Sequence, residues 1–167
     1  MNGLYADQKV WVNYGGTCTL ATMNDLWEAY LDGSITQYKA YCFDPYQFMK
    51  KPEDRDKMIY QYPIWYVINY HMKELMTVAT EDGETVVLSS SGHIMDVAEY
   101  APAKDTRPAP KLGIDDRCFV SALTEFQGEP GEVQIVRRVV DCAIGHGCLM
   151  TCPVPNLIAE SGFVVLT

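Results

Sequence analysis

A chain of 167 residues, 48% hydrophobic and 21% charged, has room for a real core and the ordinary balance of one globular domain. Its formal net charge of −9 argues against nucleic-acid binding by phosphate neutralisation. No apolar run approaches the ~20 residues of a membrane-spanning helix, so no membrane partner is expected.

In chain order, Lys9–Asn13 and Thr17–Ala21 read as two strands across a Tyr14-Gly15-Gly16 turn. Thr22 is a candidate N-cap for a helix over Met23–Leu31, with Asp25 at its third position. Leu26, Trp27 and Tyr30 are expected on its buried face, and Asp32-Gly33 should stop it. Tyr38–Phe43 reads as a strand, and the polar stretch Pro45–Asp56 as a solvated loop or short helix. Ile59–Tyr70, rich in Ile, Val, Tyr and Trp, is strongly β-prone. Leu75–Leu88 forms a hairpin about Glu81-Asp82-Gly83-Glu84, and Val97–Tyr100 is a short helix or turn. The proline-rich segment 101–110 predicts an extended, exposed loop. Arg117–Ala122, Val133–Cys142, Cys148–Cys152 and Phe163–Thr167 all look like strands. The fold class is therefore all-β, with one or two short helices.

The N-terminus MNGLYADQKV has no basic region followed by an apolar one, so no signal peptide is read. The six cysteines are accordingly expected to be reduced thiols in the cytoplasm. None stands in a C-x-x-C pair, and the three histidines, at 71, 93 and 146, are scattered, which argues against a structural zinc site. No cofactor or metal is expected. Most of the cysteines read as core filler and one as a candidate nucleophile.

The stretch from Leu75 to Val97 carries the chemistry. Its hairpin leads directly into Ser90, two small residues and His93. A hydroxyl and an imidazole so spaced at a strand end can aim two hydrogen-bonding groups at one peptide bond. The plainer alternative is a histidine capping a strand end.

A hairpin followed by Ser-x-x-His resembles the second conserved block of inteins and related Hint domains, where the usual form is Thr-x-x-His. Further blocks follow in the family's order. Gly3-Leu4-Tyr5-Ala6-Asp7-Gln8-Lys9-Val10 resembles the opening block, and MNDLWEAYL the helical element after it. Leu112–Val120 resembles the strand "L-x-x-G-D-x-V". Cys148–Cys152 with Asn156-Leu157-Ile158-Ala159 is similar to "Y-D-L-x-V … H-N-F-x-A", and Gly162–Val165 to the run before the terminal His-Asn. The resemblance covers nearly the whole chain. It implies a horseshoe-like Hint fold with pseudo-two-fold symmetry and adjacent chain ends, in a single splicing domain over residues 1–167. Residues 1–2 would then be a remnant of the upstream host segment, and 101–110 the position where larger relatives carry a homing endonuclease.

The same resemblance implies autocatalytic protein splicing: single-turnover self-excision through a thioester and cleavage of the N-terminal junction. His93 would be the donor to the amide nitrogen leaving group, with Ser90 beside it. Residue 1 of the usual intein falls on Gly3, which has no side chain to start an acyl shift. Either a cysteine there was replaced to trap the precursor, or the chain belongs to the subclass that lacks an N-terminal nucleophile. That subclass carries a cysteine where Cys148 stands, and a Thr near the finish, as Thr167 does. Met95 departs from its usual Trp, and Pro155 from the histidine of the "H-N-F" block. The sequence ends Val165-Leu166-Thr167 without His-Asn, which reads as a trapped or truncated, splicing-inactive form. A buried apolar thiol is the other reading of Cys148.

The partners so implied are the flanking segments of a host protein (exteins), or a complementary fragment of a split intein, around a monomer. Two alternatives stand beside splicing: a Hint domain that only cleaves, and a non-enzymatic β-rich binding protein using its aromatic surface.

Overall fold

A computed structural model describes residues 3–43, 59–72, 75–79, 85–89, 93–95, 106–108, 116–121, 130–135, 137–139, 145–151, 153–154 and 156–167. The first strands, β1 (Leu4–Tyr5), β2 (Lys9–Tyr14) and β3 (Thr17–Thr22), lead into one helix, α1 (Met23–Asp32), and a 3-10 turn over Ser34–Gln37. Then come β4 (Tyr38–Phe43), β5 (Ile59–Pro63), β6 (Tyr66–Met72), β7 (Leu75–Ala79), β8 (Thr85–Ser89), β9 (His93–Met95) and β10 (Thr106–Pro108). The series closes with β11 (Asp116–Ser121), β12 (Pro130–Ile135), β13 (Arg137–Val139), β14 (Gly145–Thr151), β15 (Asn156–Ile158) and β16 (Val164–Leu166). The all-β expectation therefore holds, and every ladder among the described residues is antiparallel.

Local chemistry sets the N-terminal half. Gly15 and Gly16 both adopt positive φ, 57° and 93°, which a two-residue turn between right-twisted strands requires. The Asn13 side-chain oxygen accepts from the Gly16 N–H at 2.9 Å and closes that turn. Thr22 caps α1: its Oγ1 accepts from Asp25 N–H, while the Asp25 carboxylate accepts from Thr22 N–H, each at 3.0 Å. The shorter Asp side chain thus completes a reciprocal cap usually made by Glu or Gln. Gly33 ends the helix at φ 85°.

The helix buries Met23, Leu26 and Ala29. Tyr30, expected on the buried face, is 38% exposed, and Trp27 is only partly covered. The stripe runs i, i+3, i+6 from Met23, so it turns the Ala29 methyl, not the Tyr30 ring, toward β6 and β14. Ile59–Tyr70 is two strands, separated at Ile64 and Trp65. The stretch expected as one strand over Val133–Cys142 is likewise split, between β12 and β13. Within the supposed loop 101–110, Thr106–Pro108 is a strand paired with β9. Thr80–Glu84, Pro45–Asp56 and Val97–Tyr100 lie outside the described residues.

Two sheets matter for the site. One runs in the order β13-β7-β8-β1-β14-β6, the other β10-β9-β16-β15. The short β1 is the centrepiece of the first sheet. Leu4 pairs with Leu88 of β8 on one side and with Cys148 of β14 on the other, and all three side chains are fully buried. Burying such a leucine is worth about 1.5–3 kcal/mol, which anchors a strand only two residues long.

Candidate functional site

The site expected from the sequence centres on Gly3. The structure holds it through backbone groups. Ser89 N–H at the end of β8 donates to the Gly3 carbonyl at 3.0 Å. Gln8 extends this hold: its side-chain oxygen accepts from Val87 N–H at 2.8 Å, and its amide donates to Lys9 C=O at 3.0 Å. The Gln8 carboxamide thereby supplies β8 with the partner that the truncated β1 does not reach. The first N–H groups of α1 finish the clamp, Met23 donating to Gln8 C=O and Asn24 to Ala6 C=O. These are donors a helix start leaves without an intrahelical partner, and here they fasten the turn that follows β1.

Cys148 stands directly across from Leu4, one residue from Gly3 along the chain. Its thiol is fully buried, because it shares the core face with Leu4 and Leu88. Burial disfavours the thiolate and pushes the thiol up to about 11. At pH 7 only about one molecule in 10⁴ then carries the nucleophilic form. Among the described residues Cys18, Cys42 and Cys148 are free thiols.

His93 opens β9, the strand next after β8, and β9 pairs with the last strand through Ile94 and Val165. Thr167 follows β16 and is partly exposed. Gly3 is therefore tied to residue 89 and Val165 to residue 94. Those anchors are five residues apart, at most about 18 Å of extended chain. Ser90 lies outside the described residues. So the structure sets Leu4, the residue after Gly3, directly opposite Cys148, and sets His93 and the stretch ending in Thr167 on or beside the adjoining pair β9–β16.

Three residues that the sequence did not single out support this arrangement. Gln8 is one. Asn156 is another: it is 1% exposed, its amide donates to Phe43 C=O and its oxygen accepts from Phe43 N–H, both at 2.8 Å. That bidentate grip ties β15 to the end of β4. The third is Ser89 itself, buried at the end of β8, where its N–H holds the Gly3 carbonyl. The only available signal for it was the run Ser89-Ser90-Ser91, in which the sequence gives no way to single out Ser89. At the other end of the sheet the β15–β16 connection docks on β2, Glu160 N–H donating to Lys9 C=O at 2.9 Å.

No protein-family model matches the sequence, and no curated protein does. Solved structures do. The chain is similar to an intein from a hyperthermophile, with 13% identity, TM-score 0.80 and complete coverage of both chains. It is similar to the DnaB intein from Synechocystis sp. PCC 6803, with 12% identity and TM-score 0.74 over 100% of this chain and 99% of that one. It is similar to the transcription factor IIB Mvu mini-intein, with 13% identity, TM-score 0.78 and complete coverage of both. At such identities the likeness is one of fold, and it extends from end to end with no endonuclease domain inserted.

Proposed function

We propose that this chain, whose fold is the intein (Hint) fold, performs autocatalytic protein splicing on a host protein in which it is embedded, acting as one domain over residues 1–167. The observation that carries the proposal is the placement of β1: the segment bearing Gly3 is threaded between β8 and β14, opposite Cys148 and just ahead of the strand that His93 opens.

In this reading Cys148 attacks the carbonyl carbon that precedes Gly3. The C–N bond to Gly3 breaks, the upstream segment passes to the sulfur as a thioester, and the Gly3 nitrogen takes a proton from His93. Ser90 helps to polarise the same peptide. Because the attack is intramolecular, the thiol needs no exposure to solvent. It does need to lose its proton, and its high affinity for that proton makes deprotonation the costly part of the step. Splicing is completed when a terminal Asn cyclises and a thiol or hydroxyl residue downstream takes over the upstream segment.

The test is a precursor with a host segment before Met1, and with His-Asn and then a cysteine or serine after Thr167. A ligated product by mass spectrometry, and release of the upstream segment by hydroxylamine, are the expected results. If Cys148→Ala splices as well as its parent, Cys148 is core filler; if a cysteine at position 3 is required for any cleavage, the nucleophile belongs at position 3 and Gly3 is a block.

A further inference from the structure

Two buried carboxamides, one near each junction, make the same kind of contact: each grips a backbone segment remote in sequence. On the N-terminal side Leu4 pairs with Leu88, and an unbroken antiparallel ladder would next set Val87 against Tyr5. The chain turns there instead. Tyr5 C=O accepts from Gln8 N–H at 2.9 Å, and Val87 N–H donates to the Gln8 side-chain oxygen at 2.8 Å. Gln8 is 9% exposed. Its side-chain amide donates to Lys9 C=O and its main-chain carbonyl accepts from Met23 N–H, so it is fixed from several sides. It thereby holds Val87, two residues ahead of the Ser89 whose N–H bonds the Gly3 carbonyl.

On the C-terminal side Asn156 opens β15 and is the cross-strand partner of Leu166, one residue before Thr167. Its carboxamide bonds both backbone groups of Phe43, the last residue of β4, at 2.8 Å each. The strand β16 is three residues long and meets β9 at Val165 and Ile94, whereas β15 flanks its whole length. Fixing β15 at Asn156 therefore fixes β16 where it leads into Thr167. We propose that Gln8 and Asn156 are positioning residues for different junctions: Gln8 sets the frame of the peptide before Gly3, and Asn156 that of the peptide after Thr167. Neither touches the reacting atoms. Each governs how often its own junction is aligned, and misplacement of about 1 Å at such a point can cost up to 10²-fold in rate. Gln8 acts on β8 and Asn156 on β15, which belong to different sheets, so the two effects are separable.

This inference rests on the splicing reading, and the experiment separates the two. Two forms of the precursor described above isolate the junctions. With the restored terminal Asn replaced by alanine, release by hydroxylamine reads N-terminal cleavage alone. With Cys148→Ala, cyclisation of that Asn reads C-terminal cleavage. Gln8→Leu should slow N-terminal cleavage about tenfold and C-terminal cleavage by no more than about threefold, and Asn156→Leu should do the reverse. Such opposite shifts in the ratio of the two rates are what a general loosening of the fold would not produce. Rates are compared at a temperature where circular dichroism shows each variant folded. Should a leucine variant not fold, Gln8→Glu or Asn156→Asp replaces it. Each keeps an accepting oxygen, loses the donating N–H, and should shift the ratio the same way by about threefold. Equal slowing at both junctions, or unaltered cleavage at a variant's own junction, overturns the inference and leaves splicing standing. A folded parent that cleaves at neither junction overturns both.

Discussion

Replacing Asn156 tests whether the buried amide grip on Phe43 holds the second sheet to the first half of the chain. Asn156 and Phe43 are both essentially inaccessible, and two hydrogen bonds of 2.8 Å join them. Asn156→Leu keeps the side-chain volume and removes both bonds. Each lost bond to a buried backbone group costs about 1–3 kcal/mol, so the pair should cost about 2–6 kcal/mol in total. At roughly 2–4 °C per kcal/mol for a chain of this length, the unfolding midpoint should fall by about 10 °C. Urea unfolding followed by tryptophan fluorescence reads this directly. Asn156→Asp sharpens the test. A carboxylate still accepts from Phe43 N–H but faces the Phe43 carbonyl with a second lone-pair oxygen, whereas a protonated carboxyl can donate to it. The Asp variant should thus lose more stability relative to its parent at pH 7 than at pH 4. A loss below about 1 kcal/mol for the leucine variant, or a pH-independent deficit for the aspartate variant, refutes the reasoning.

In the precursor, His93→Ala should slow N-terminal cleavage by about 10²-fold, the scale of a lost general acid, and unchanged kinetics would leave His93 a structural role. Iodoacetamide at pH 8 should label the partly exposed Cys18 well before the fully buried Cys148, as peptide mass spectrometry would show; equal rates would contradict the burial. Burial also makes stability fall at high pH. The unfolded thiol ionises near 9.0 and the folded one near about 11, so the contribution is intact below pH 9 and is lost as pH rises through 11. Comparing Cys148→Ala with its parent over that window should isolate the loss. Gln8→Leu, which removes the bond to Val87 N–H, should loosen β8 and slow N-terminal cleavage as well as lower stability by about 1–3 kcal/mol; faster amide exchange confined to residues 85–89 would report the loosening.

What the sequence could reveal divides along a physical line. Turn and cap residues act over a few positions, so the Gly15-Gly16 hairpin, the Thr22 cap and the Gly33 stop were all legible, and Tyr38–Phe43 is a strand with the expected bounds. The orientation of α1 was not. Tyr30 satisfies a helical period as well as Ala29 does, and only the sheet against which α1 packs decides between them. The nearness of Gly3 to Cys148 followed from the order of the family-like blocks. The burial of that thiol did not, because it depends on the side of β14 that the register with Leu4 selects. Gln8, Asn156 and Ser89 escaped notice for a common reason. Each is bonded to backbone groups remote in sequence, and a polar residue carries no local sign of such a partner.

On the splicing reading proposed above, these supports bear on one mechanical problem, that of a chain cutting itself at both ends. The two junctions have to come close to the same groups and yet belong to separate segments. Here the hairpin β7–β8 pairs with the start of the chain, and β9 pairs with its finish, so the connection 89–94 spans from one junction's strand to the other's. Gly3 has no side chain to offer, and its position is set by Ser89 N–H, by the Leu4 side chain in the core and by Gln8 behind the turn. A terminus held through backbone and neighbours is indifferent to the residues that precede it. That suits an element whose upstream segment is a host protein, and it predicts that varying the residue before Gly3 alters the rate of the acyl transfer while leaving the unfolding midpoint within about 1 kcal/mol of the parent. A large loss of stability on changing the residue before Gly3, measured by urea unfolding, would show that the upstream residue is itself a packing element and that the hold described for β1 is incomplete.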